Sequence, residues 1–311
     1  MTPRATMSMS NGASPLTRTT ITCAHQEHVV IPNPASFAKK RQRIIDNGFA
    51  NLQVIADFDR TLTMCRVNGK TGASCHGVME SLETLSKEYR EQTGELFKKY
   101  YPIEICHNLT IPEKIPIMEE WYSQAHELLL REGVTLEHIR DAVMGANLAL
   151  RPGVCDVIKM LQCNDVPFLI FSAGIANVIS EVLKQKFGEL KDSTHVVSNW
   201  MYFDKEGSHN GFSEPLIHMF NKNESQTKGT DYRKAVEQRQ FVILLGDGLG
   251  DVTMAEGIPH EVVLKVGFLN DKVEELLPLY KEVYDIIVTN DGSMDVVVEL
   301  LREIPARVEV A

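Results

Sequence analysis

Two carboxylates one residue apart close an apolar run early in the chain. In NLQVIADFDRTLT, residues 51 to 63, Asp57 and Asp59 follow Val54, Ile55 and Ala56. Side chains return to the same face of an extended backbone at every second position, so the two acids share a side. Like charges held that close raise at least one carboxyl pKa unless a cation lies between them. The pattern recurs in FVILLGDGLGD, residues 241 to 251, where a second apolar run ends at Asp247, glycines 246, 248 and 250 permit a tight turn, and Asp251 follows. A third run, FLIFSAG, ends on Ser172, with Ala173 and Gly174 keeping the turn open. Carboxylates in this number suit a hard cation. Mg2+, which takes a few carboxylate oxygens together with water and substrate phosphate, is the expected ion. Lys222, in the Asn-rich stretch HMFNKNES, can neutralise a phosphate as a point charge.

For these side chains to meet, the runs that carry them must be neighbours in one sheet. Strand-like runs occupy 52 to 57, 166 to 172, 195 to 203, 241 to 247, 262 to 268 and 284 to 290, and helical patterns occupy 175 to 188, 271 to 283 and 293 to 304. Such alternation predicts a doubly wound α/β core with a parallel sheet, whose carboxyl edge receives ligands. Residues 66 to 150 read differently, as helices without strands: Leu82, Leu85, Tyr89, Leu96 and Tyr100, then Met118, Trp121, Tyr122, Ala125 and Leu129, recur at helical spacing. The expected organisation is a flexible tail over 1 to 30, a core over 40 to 65 and 151 to 305, and a helical cap over 66 to 150 inserted after the first strand, returning at LRPGV.

Composition narrows the partners. The 311 residues are 43% apolar and 24% charged, with net charge −10 and no basic block, which argues against a nucleic-acid polymer. No apolar run reaches the ~20 residues of a membrane span, so no membrane association is expected. Six cysteines without a CxxC pair predict reduced thiols in the cytoplasm. Cys65, Cys75 and His76 lack a fourth ligand at a zinc spacing. Nothing in the chain calls for a stable protein partner, and a monomer is expected.

In order along the chain, DFDRT (57 to 61), FSAG (171 to 174), Lys222 and GDGLGD (246 to 251) resemble the signature of the haloacid dehalogenase superfamily of phosphohydrolases. The wider texture, with KYYPIE (99 to 104), EKIPIMEEWYSQAH (113 to 126), VVSNWMYFD, IHMFNK, ILLGDGLGDVTMA and VGFLND, resembles the cytosolic 5'-nucleotidase III family over about residues 40 to 300. The resemblance implies a haloacid dehalogenase-like Rossmann-type core and hydrolysis of a nucleoside 5'-monophosphate. It implies that Asp57 attacks phosphorus and Asp59 serves as acid, then base. It implies Mg2+ on Asp57, the backbone carbonyl of Asp59, and Asp247, with Asp251 orienting the ion's water. Ser172, Ala173 and Lys222 would hold the phosphoryl oxygens, and Thr61 would support the turn.

Base recognition is implied for the cap, with Glu104 hydrogen-bonding the base and Trp121, Tyr122 and Ala125 around it. A 7-methylguanine is cationic and gains a cation-π contribution on Trp or Tyr, and a carboxylate accepts from its ring N–H and amino group. Ala125, where pyrimidine-preferring members tend to have serine, points to the branch that takes 7-methylguanosine monophosphate alongside CMP. His76 and Gly77 stand where relatives often carry an asparagine near the base. The rival readings are a pyrimidine 5'-nucleotidase acting on CMP and UMP, a small-metabolite phosphatase such as one for phosphoserine, and a non-catalytic binder of methylguanine nucleotides. The intact Asp57 and Asp59 argue against the last.

Overall fold

A computed structural model describes residues 28–106 and 108–305. Cys23 and most of the expected tail lie outside the described residues. Along the chain come β1 (Val29–Val30), α1 (Pro34–Asn47), β2 (Leu52–Ala56), β3 (Arg66–Val67), β4 (Lys70–Thr71), α2 (Cys75–Glu80), α3 (Lys87–Glu104), α4 (Ile111–Arg131), α5 (Leu136–Gly145) and α6 (Val154–Cys163). They are followed by β5 (Phe168–Ile175), α7 (Ala176–Phe187), β6 (Thr194–Asn199), β7 (Met201–Phe203), β8 (His209–Phe212), α8 (Asp231–Val236), β9 (Phe241–Gly246), β10 (Val262–Leu269), α9 (Val273–Val283), β11 (Ile286–Thr289) and α10 (Asp295–Arg302).

The central sheet has the order β1-β11-β10-β9-β2-β5-β6. Every pairing is parallel except that of β1 on β11. Period-two alternation divides the sheet's faces. Leu52, Val54, Ala56, Ile243 and Leu245 pack in one core cluster with residues of α1, α6, α7 and α10. Ile55, Val242 and Leu244 pack in the other with Tyr232 of α8 and Tyr280 of α9. Helices therefore cover both faces, as required for strands that are apolar on every side.

Helices α2 to α5 lie between 75 and 145, and each starts at a hydroxyl side chain. Ser74, Ser86 and Thr135 accept from the backbone N–H of Gly77, Tyr89 and His138, and Thr110 forms a reciprocal box with Glu113.

Several sequence expectations shift. The segment 66 to 150 does contain strands: β3 and β4 form a hairpin turning at Asn68 and Gly69, both with positive φ, the Asn-Gly preference of a primed turn. The helical pattern expected through Leu82, Leu85, Tyr89, Leu96 and Tyr100 breaks between Glu80 and Lys87, where Leu82 and Leu85 are buried and Ser86 caps a new helix. The strand expected over 195 to 203 splits at Trp200. Asn199 is held by Ala173, Gly174 and Ile217 backbone groups, while Trp200 N–H turns to Ser213 Oγ, so β7 leaves the main sheet and pairs with β8. Val29 and Val30 belong to the sheet rather than to the tail, and α1 begins ahead of the expected core boundary at residue 40.

Candidate active site

Because β9, β2 and β5 are adjacent and parallel, their carboxyl ends open at one edge. Asp57 follows β2 directly, and its N–H donates to Leu245 O at 3.0 Å, which registers the first acid against the β9 end. The chain then turns sharply, with Asp59 at φ −68°, ψ 124° and Arg60 in the left-handed region at φ 62°. Asp247 follows β9. Asp251 folds back so that its Oδ2 accepts from the N–H of Asp247 at 3.0 Å and of Gly248 at 2.8 Å. A Cβ on Gly246 would lie 2.4 Å from that of Asp251, so only glycine admits this return.

Carboxylate oxygens of Asp57, Asp247 and Asp251 lie within 4.8 Å of one another. Lys222, 4% exposed, donates to Asp57 and, at 2.9 Å, to Asp251. Burial works against the Lys222 charge, but the two carboxylates more than offset it and hold the ammonium above its ordinary range. Burial raises Asp57 to about 7, with Lys222 opposing and Asp251 adding to the rise. Asp247 is pushed well above the ordinary carboxyl value by burial and by the Asp57 and Asp251 charges. Three crowded carboxylates with a single ammonium make an electron-rich oxygen cage, a donor set that fits a hard divalent ion.

Asp59 is not in that cage. Its carboxylate accepts from Cys75 N–H at 3.0 and 3.1 Å and from Cys75 Sγ at 3.3 Å. Burial raises its pKa and these contacts lower it. Ser172 is buried at the β5 end, and its Oγ accepts from Gly174 N–H at 3.0 Å, fixing the turn that includes Ala173. Thr61 Oγ1 reaches Asp247 only at 3.5 Å.

A cavity of about 640 Å³ is lined by Ser74 and His76, which flank the Asp59 partner Cys75, and by Trp121, Tyr122, Ala125 and His126 among others; the acidic cluster itself does not line it. Trp121 stacks on Tyr100 at 5.7 Å, and Tyr122 meets Trp121 and His76 edge to face at 6.0 and 6.1 Å. Gly77 lines the cavity and Glu104 does not. Glu104 lies close enough for its charge to act on Tyr122, and burial raises its own pKa against the opposing charge of Lys114. Cys65 Sγ turns to Asp271 instead, so the two thiols diverge, and among the described residues the acidic cage is the one metal-type cluster.

Two residues escaped sequence reasoning. Arg151, 1% exposed, donates to the carbonyls of Arg60, Thr61, Thr63 and Gly292 and to Asn270, and it pairs with Asp291 at 3.2 Å. It anchors the turn that carries Asp59. Cys75 read only as a thiol without a zinc partner.

Comparison with known proteins bears on the family and the fold. The family model for pyrimidine 5'-nucleotidase (UMPH-1) matches residues 60–305. A Gallus gallus 7-methylguanosine phosphate-specific 5'-nucleotidase is 41% identical over 262 residues, covering 84% of this chain and 90% of the relative. The crystal structure of cytosolic 5'-nucleotidase IIIB bound to cytidine superposes with TM-score 0.80 at 32% identity, covering 90% of this chain and 94% of that one. A Salmonella enterica haloacid dehalogenase-family hydrolase, 14% identical, covers 86% of this chain and 81% of its own with TM-score 0.50, a likeness of fold alone.

Proposed function

The chain belongs to the pyrimidine 5'-nucleotidase (UMPH-1) family and is a phosphoric monoester hydrolase of haloacid dehalogenase-type fold, and from that premise we propose that it hydrolyses 7-methylguanosine monophosphate, and CMP alongside it, through an aspartyl-phosphate. The observation that carries the reading is the Asp57, Asp247, Asp251 and Lys222 cluster, together with an aromatic cavity whose lining residue Tyr122 lies within reach of the Lys222 and Asp59 charges.

In this reading an Asp57 oxygen forms a bond to phosphorus as the bond to the 5'-oxygen breaks, and Asp59 gives that oxygen its proton. Water then attacks phosphorus and yields its proton to Asp59. The bond from phosphorus to Asp57 breaks, and phosphate leaves. Lys222, Ser172 and the Ala173 backbone hold the phosphoryl oxygens. Mg2+ on Asp57, Asp247 and the Asp59 carbonyl would supply charge stabilisation at those oxygens, with Asp251 orienting its water. The core is assigned to 28–65 and 151–305, and the stretch 66–150, helical apart from the β3–β4 hairpin, acts as cap.

Within the cap, Trp121 and Tyr122 offer flat faces to the base, and a cationic methylguanine gains more from them than a neutral ring. Glu104 is assigned to the base edge, on the Tyr122 side. The name of the Gallus gallus relative supports the methylguanosine preference. The free thiols of Cys65, Cys75, Cys106, Cys155 and Cys163 fit a reducing compartment, and the reading places a monomer in the cytoplasm. Among the described residues no helix is long and apolar enough to cross a membrane.

The test is phosphate release from 7-methylguanosine monophosphate, CMP, UMP, GMP, AMP and phosphoserine, with Mg2+ and with EDTA. Metal-dependent release from the first two, with little from GMP, is expected. Release from CMP and UMP alone would make the enzyme pyrimidine-selective, and silence on every nucleotide would overturn the reading of the cavity.

A further inference from the structure

Among the described residues, the hydrogen bonds to the Asp59 carboxylate come from Cys75, through its N–H at 3.0 and 3.1 Å and its thiol at 3.3 Å. Cys75 is fully buried at the first turn of α2. It also touches the phosphate-binding turn: a Cβ at Gly174 would lie 2.8 Å from Cys75 Cβ, 3.1 Å from its Sγ and 3.2 Å from Ser172 Oγ. One side chain thus wedges between the acid and the turn that holds Ser172, in a gap left open by the missing side chain of Gly174.

From this geometry we propose that Cys75 is a positioning residue for the reaction, fixing the Asp59 carboxylate against the Ser172–Gly174 turn. The inference rests on the assignment of Asp59 as acid and base. An acid that must place a proton on the 5'-oxygen as the bond to phosphorus breaks needs a fixed orientation. Among the described residues no cation makes a hydrogen bond to the Asp59 carboxylate, so its rotamer is set by Cys75. The backbone N–H of residue 75 is kept in the alanine and serine variants, and the thiol supplies the third contact and the volume beneath Gly174. The next residue, His76, lines the cavity and meets Tyr122 at 6.1 Å. The same turn of α2 therefore touches both the acid and the pocket assigned to the base.

The test compares single-turnover rates of nucleoside release, the step before water attacks, on 7-methylguanosine monophosphate and on its analogue with sulfur bridging the 5'-carbon and phosphorus, whose thiolate leaves without a proton. Cys75→Ala is expected to lose about tenfold on the oxygen ester, the size of one hydrogen bond to a charged group, and to stay near wild type on the sulfur ester. Cys75→Ser is expected to restore most of the loss. Equal losses on the two esters, or no loss on either, would overturn the proposal. Asp59→Asn run beside them separates the two assignments. If Asp59→Asn discriminates the esters and Cys75→Ala does not, only the positioning role falls; if neither discriminates, the acid assignment falls with it.

Discussion

Replacing Arg151 by Met tests whether a residue far from the motifs holds the catalytic turn in place. The guanidinium is fully buried, donates to Thr61 O at 2.7 Å and Gly292 O at 2.6 Å, and sits 4.5 Å over the Phe268 ring. Met fills much of the same volume but donates nothing. Arg60 O keeps a donor in Asn270 at 3.0 Å, and Asp291 keeps the N–H groups of Cys65 and Arg66. Thr63 O loses a long contact of 3.3 Å, and the carbonyls of Thr61 and Gly292 lose the short bonds that Arg151 supplies. At roughly 1–3 kcal/mol for each buried acceptor left without a donor, the expected loss is about 4 kcal/mol. That corresponds to a fall of roughly 8 to 16 °C in the unfolding midpoint of a domain of this size. Because the released turn carries Asp59, phosphate release should fall about a hundredfold at temperatures where the variant remains folded. The assay is denaturant unfolding followed by circular dichroism, paired with steady-state phosphate release. Arg151→Lys, with one compact donor group, should lie between the two. A Met variant as stable as wild type would refute the anchoring argument, and a destabilised variant with full turnover would show that the turn holds its shape without Arg151.

Trp121→Ala should raise KM for 7-methylguanosine monophosphate about tenfold and for CMP by a smaller factor, since the cationic ring loses a cation-π contribution of roughly 1–2 kcal/mol that the neutral ring lacks. Equal effects in steady-state kinetics would reduce Trp121 to packing against Tyr100. The stability of the cap should also depend on pH. His126 stacks on Phe212 at 3.8 Å, and burial, with the charges of His76 and His209, lowers its pKa from 6.5 to about 3. Its unfolded form binds a proton below about 6.5 while the folded form does not, so stability is full above that value and is lost as pH falls toward 3. At pH 5 this amounts to about 2 kcal/mol. His126→Phe should therefore lose about that much less than wild type between pH 7.5 and pH 5 in unfolding experiments, and identical pH dependence would contradict a neutral buried imidazole.

Local patterns were enough to predict the alternating core and the carboxyl edge. Val54, Ile55 and Ala56 form an unbroken apolar run, the signal of a strand buried on both faces. The acids, Ser172 and Lys222 were legible because each ends an apolar run or stands in an ordered set of motifs, and parallel topology leaves those ends one place to meet. The hairpin at Asn68 and Gly69 carried its own local signal, which the surrounding helical periodicity concealed. The break at Trp200 carried none. Asn199 leaves the strand direction because four backbone groups, from β5 and from Ile217 ahead of Lys222, meet it there.

The tertiary structure also decided what each functional side chain touches. Asp59 turns from the acidic cage to Cys75, Glu104 lies outside the cavity that Trp121 and Tyr122 line, and Arg151 reaches across 141 positions to Gly292. Periodicity reports only which face a residue occupies. Partner choice depends on which distant loops approach that face and which polar groups they leave unsatisfied, a property of the assembled chain rather than of any stretch of it.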